Sequence, residues 1–99
     1  MGLFDKKIRI ADYIYRYTAT VKRSRAYIRM YNNVARKVEL LERETNSIYK
    51  NDNFGYKELD AFVDILNQQN LKKNTINTLV SKLKFILSLM IRDMYKVNS

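Results

Sequence analysis

Residues 70–89, "NLKKNTINTLVSKLKFILSL", decide the fold class. Ile76, Leu79, Leu83, Ile86 and, one turn further, Met90 recur at spacings of three and four, which puts them on one face of a helix. The other side carries Asn74, Asn77, Thr78, Ser81, Lys82, Lys84 and Ser88 without a carboxylate. A helix shaped by solubility alone would do better with Glu and Lys one turn apart, which also stabilise it. The apolar stripe therefore needs a bundle to pack against, and the acid-free side suggests a surface built to meet a ligand.

The rest of the chain supplies that bundle. With two Gly, no Pro and polar breaks in place of alternating strands, it reads as all-α. A first helix is expected over about 7–21, with Ile10, Ile14, Tyr17 and Val21 on one face. A second is expected over about 24–44, with Ser24 as N-cap and Tyr27, Met30, Tyr31, Val34, Val38 and Leu41 inward. "TNSIYKNDNFG", residues 45–55, breaks the pattern, because Asn, Asp, Ser and Gly favour turns. A third helix over about 56–69 shows Leu59, Phe62, Val63 and Leu66, and the fourth covers about 73–95. Short connections predict a compact four-helix bundle, with residues 1–99 as a single domain.

Composition removes several function classes. The chain has no Cys and no His, so disulfides and the usual zinc, haem and iron ligand sets are absent, and neither a metal nor a cofactor is expected. No window approaches the ~20 apolar residues of a membrane span, so no membrane partner is expected and a cytoplasmic setting is. The Met1-Gly2 start has Lys6 where an N-myristoylation motif needs Ser or Thr. Gly2 and Gly55 alone cannot make a phosphate-binding glycine loop.

The net charge of +9 leaves nucleic acid, anionic membrane and acidic protein open as partners. Its distribution is more telling. No acid lies between Asp12 and Glu39, an interval holding Arg16, Lys22, Arg23, Arg25, Arg29, Arg36 and Lys37. None lies between Asp64 and Asp93, where Lys72, Lys73, Lys82, Lys84 and Arg92 fall. At about 100° per residue, Lys22, Arg25, Arg29, Arg36 and Arg43 gather almost opposite the Tyr27, Tyr31, Val34 and Val38 stripe, with Asn32 and Asn33 among them. Two acid-free helices in one small domain favour a ligand over plain solvation. Arg forks match phosphate and guanine, Asn pairs with adenine, and a helix N-terminus beside Lys72 and Lys73 attracts phosphate.

Other features have plainer readings. Asn74 or Thr75 can serve as the start of the fourth helix. Tyr17, Tyr27 and Tyr31 sit on inward stripes, while Tyr13, Tyr15, Tyr49, Tyr56 and Tyr95 are left unassigned. Asp60 and Asp64, one turn apart, read as a solvated acidic face, and no charged constellation surrounds a nucleophile, so no catalytic residue is expected. Phe85 and Leu89 fall toward the polar side of the fourth helix, either as ordinary exposed residues or as a patch covered by another segment or protomer.

"LDAFVDILNQQNLKKNTINTLVSKLKFILSLMI", residues 59–91, resembles the end of the core-binding domain of phage-integrase-type tyrosine recombinases, an N-terminal SAM-like module. "RIADYIYRYTATVKRSRAYIRMYNNVARKVELL", residues 9–41, resembles that module's first two helices. The resemblance implies a SAM-like bundle forming half of a clamp around duplex DNA at a recombination half-site, for DNA integration. It nominates Lys22, Arg23, Arg25, Arg29, Asn33 and Arg36 on the second helix as DNA-binding residues. On the fourth it nominates Lys72, Lys73, Asn74, Thr75, Asn77, Thr78, Ser81 and Lys82. Many relatives carry Ser-Pro where this chain has Lys72-Lys73. The family's Arg, Lys, His and Tyr catalytic set belongs to a C-terminal domain that this chain lacks. The fragment is thus expected to be non-catalytic, with double-stranded DNA, its parent's catalytic domain and other protomers of a recombination complex as partners. The alternative is a protein-interaction or oligomerisation module whose basic faces meet acidic partners.

Overall fold

The computed structural model describes residues 6–97; Met1 and Gly2 of the lipidation motif lie outside the described residues. Among those described are four α-helices: α1 (Ile10–Thr20), α2 (Arg25–Thr45), α3 (Tyr56–Gln68) and α4 (Lys73–Arg92). They form an all-α four-helix bundle with extents of 44 × 32 × 20 Å.

The core follows the expected stripes. Ile10 and Ile14 of α1, Tyr31, Val34, Val38 and Leu41 of α2, and Phe62 and Leu66 of α3 are buried with Ile76, Leu79, Leu83, Ile86 and Met90 of α4. Tyr17, Val21, Tyr27, Met30, Leu59 and Val63 sit half-buried around them. Burial of these apolar groups is the main favourable contribution to folding.

Two helix ends depart from their expected positions, each for a visible reason. α1 starts at Ile10 and not near Lys7 because the preceding backbone is already engaged: Ile8 N–H donates to Asn51 Oδ1 (2.9 Å), Asn51 N–H to Ile8 O (3.1 Å) and Ile10 N–H to Tyr49 O (2.9 Å). α4 stops at Arg92 and not near Tyr95 because Met94 takes a left-handed conformation, φ 73°, and Tyr95 N–H returns to Met90 O at 2.9 Å. That turn lays the Tyr95 ring edge-on against Tyr13, with centroids 5.8 Å apart.

α2 begins and ends by standard chemistry. Ser24 Oγ accepts from Tyr27 N–H (3.2 Å), as its N-cap role predicts, and Asn46 closes the helix at φ 52° with Ser47 N–H donating to Glu42 O (3.0 Å). At α3, Glu58 accepts from Gly55 N–H at 2.8 Å, and glycine has no side chain to reciprocate.

The break between α2 and α3 is more than a turn. Tyr49, Asn51 and Phe54 are buried in it. Asn51 also donates from Nδ2 to Lys6 O (3.0 Å) and Lys96 O (2.8 Å), so one amide ties both ends of the described chain to this loop.

Candidate nucleic-acid interface

α2 holds Arg25, Arg29 and Arg36 on its outermost line, opposite the buried Tyr31, Val34 and Val38. All three guanidinium groups are exposed, and none lies within ion-pair distance of a carboxylate among the described residues. With Ile28 and Asn32 they line a shallow groove of about 300 Å³. Asn33 adjoins Arg29 and Arg36 in a second groove of about 300 Å³, beside Ala26 and Met30. Arg25 and Arg36 are separated by roughly 16 Å along the axis at the α-helical rise.

What keeps this stripe bare is the fate of the acidic block. Glu42, 4% exposed, is gripped by the Arg9 guanidinium through Nε and Nη2 and also accepts from Tyr49 N–H at 2.9 Å. Glu39 takes the Tyr15 hydroxyl (2.6 Å) and Arg9 Nη2 (3.5 Å), and Asp12 takes Arg9 Nη1 (3.2 Å). The hydrogen bond to Glu42, more than the surrounding negative charge, raises the Arg9 pKa above its ordinary value. Burial, followed by the bond to Glu39, pushes the Tyr15 phenol up to about 12. Three carboxylates are thus engaged by one arginine at the α1–α2 junction, with Glu39 one turn from Arg36. Asp60 and Asp64 remain exposed on α3, as the reading of a solvated acidic face requires.

α4 meets α2 through an aromatic row. Tyr31 packs against Tyr27 (4.8 Å between centroids) and Phe85 (6.2 Å), and Lys82 Nζ stands 5.0 Å from the Tyr31 centroid. Thr78 and Thr75, four and seven residues before Lys82, continue this flank toward the start of α4. Asn74 and Ser81 are exposed on the adjoining outward line. Asn77 falls one turn from Lys73, Asn74 and Ser81 and seven residues before Lys84, at the edge of that outward line nearer α3.

Three local expectations need correction. Lys22 and Arg23 are not on α2: they belong to the extended connector after Val21, where the Arg23 guanidinium covers the Tyr27 ring at 5.0 Å. Neither Asn74 nor Thr75 caps α4, since Lys72 takes the N-cap position without a side-chain bond and Asn74 O instead receives the Thr78 hydroxyl at 2.9 Å. The leading N–H groups of α4 are left beside the exposed Lys72 and Lys73. Leu89 is buried; Phe85 alone of that pair stays 40% exposed.

Lys37 was overlooked as a site residue. Its Nζ donates to Gln69 Oε1 (2.6 Å), joining the middle of α2 to the C-cap of α3, three residues before Lys72. Its place in the basic block was a signal, but its α3 partner had none.

No helix among the described residues is long and apolar enough to cross a membrane. Compared with protein-family models, curated proteins and solved structures, the chain matched none.

Proposed function

We propose that this chain is a duplex-DNA-binding module, the core-binding part of a tyrosine recombinase or integrase, working in the cytoplasm and clamping a recombination half-site while a separate catalytic domain cuts and rejoins. The observation that carries the reading is the line of Arg25, Arg29 and Arg36, without an ion-pair partner among the described residues, with the neighbouring Glu39 engaged by Arg9 and Tyr15. Exposed guanidinium groups without a carboxylate partner are suited to phosphates and, through their fork, to guanine edges. On α4, Thr75, Thr78 and Lys82 lie on the flank that meets α2 at Tyr31, and Lys72 and Lys73 stand at a helix N-terminus that favours anions. Part of the support for the alternative, protein docking on the basic faces, weakens because Leu89 is in the core.

Binding to a labelled duplex across a salt series tests the reading. With about five phosphates contacted, log affinity should fall against log salt with a slope near −4 to −5. The double variant Arg25→Glu/Arg29→Glu should lose binding while keeping its helical circular dichroism. A folded double variant with unchanged affinity would remove this function from α2.

A further inference from the structure

An exposed apolar surface lies away from the Arg line. Tyr56 (72% exposed), Ile91 (58%) and Met94 (55%) border two grooves that share Ile91. One, of about 390 Å³, runs between the start of α3 and the end of α4 over Leu59 and Leu87; the other, of about 410 Å³, continues past Met94 to Tyr95. On α4 this flank is the one bearing Lys84, roughly 160° around the helix from Lys82. A ligand seated here would leave Lys82 and the Arg line untouched.

The charge of the rim selects the occupant. Among the described residues, Lys84 and Lys96 are the only charged ones lining the two grooves, and neither has a carboxylate partner there. Glu58, close by on α3, is turned to Gly55 N–H. A second copy docked face to face would set these lysines against each other in a chain of net charge +9, which disfavours self-association. A lipid surface suits a protruding apolar ridge with many cations, whereas this surface is concave with two. We infer that the α3–α4 groove docks an acidic amphipathic helix of a partner protein, its apolar residues against Leu87, Ile91 and Met94 and its carboxylates on Lys84 and Lys96. Such helices present anchors at i, i+3, i+4 and i+7 to a groove between helices. The chain would then hold its protein partner and its anionic ligand on different sides.

The probe is a synthetic helical peptide with Leu at those spacings and Glu elsewhere, titrated into isotopically labelled protein and followed by amide shifts. A second peptide has Lys in place of every Glu. The Glu peptide should shift residues 54–59 and 84–97, and Ile91→Asp should weaken it by about tenfold or more, the scale of losing a central anchor. Lys84→Glu should weaken it several-fold and the Lys peptide should bind at least about tenfold less well. Ile91 is exposed, so its substitution spares the core, and Ile91→Ser gives a second, uncharged variant. Duplex affinity should be unchanged in both Ile91 variants, so this inference and the DNA reading fail separately. Four results would overturn the inference: shifts confined to Arg25–Arg36, equal binding of the two peptides, sedimentation showing a dimer abolished by Ile91→Asp, or Ile91-dependent binding to phosphatidylserine vesicles.

Discussion

Lys82 of α4 lies over the ring of Tyr31 of α2, its ammonium 5.0 Å from the ring centroid. The contact joins the two helices bearing most of the basic surface, with Tyr31, 4% exposed, held in the core. Removing the charge and removing the ring should therefore have separable effects. Lys82→Met keeps the stem that covers Tyr31, so stability should change by less than about 1 kcal/mol while duplex affinity drops several-fold. Tyr31→Ala should cost about 3 kcal/mol or more through the cavity it leaves. Urea denaturation and duplex titration of both variants check the separation.

Glu42 holds the acidic end of the fold together. It is buried and accepts from both Arg9 and Tyr49 N–H. Glu42→Ala removes the buried partner of Arg9, which keeps only the more exposed Asp12 and Glu39, and takes the acceptor from Tyr49 N–H; it should cost about 3 kcal/mol, near the lower end for breaking a buried pair. A denaturation midpoint within experimental error of the parent would contradict this.

Asn51 should be as sensitive for a different reason. Its side chain serves Ile8 N–H, Lys6 O and Lys96 O, so Asn51→Ala deprives three backbone groups of their partner. A loss of about 2 to 3 kcal/mol is expected. Amide exchange should also speed up at Ile8 before it does in α4, since the substitution loosens the chain end first.

Alkaline pH should unfold the protein early. Burial raises the pKa of Tyr13, Tyr15, Tyr17 and Tyr31 above the ordinary 10.0, and Tyr13 and Tyr15 also donate to the carboxylates of Asp93 (2.5 Å) and Glu39 (2.6 Å). Between pH 10 and the raised values the folded chain keeps these protons and the unfolded chain has lost them, so stability falls as pH rises. Each such tyrosine removes up to about 1.4 kcal/mol per pH unit in that window. Denaturant midpoints should be flat near pH 8–9 and drop steeply from pH 10 to 12; Tyr15→Phe should make the drop shallower.

The fold was readable because period and burial agree: every residue of the predicted α4 stripe is in the core. Glu42 shows what was also readable but missed. It lies three turns after Tyr31, within about 20° of the same helical direction, so its burial followed from position had its charge not suggested solvent. Asn51 was illegible, since nothing in a turn-rich stretch marks which amide will meet chain ends 45 residues away on either side. The same holds for the site. The exposed line of Arg25, Arg29 and Arg36 follows from helix geometry alone, whereas the pairing of Lys82 with Tyr31 depends on how α4 is rotated against α2.

Amide shift mapping of the labelled chain during titration with duplex DNA tests the central claim most directly. The account predicts perturbations at Arg25, Arg29 and Arg36 of α2 and at Lys72, Lys73, Thr75, Thr78 and Lys82 of α4, fading as salt rises, with α3 silent. Shifts centred on Asp60 and Asp64 of α3, or a spectrum unchanged by the duplex at low salt, would contradict it.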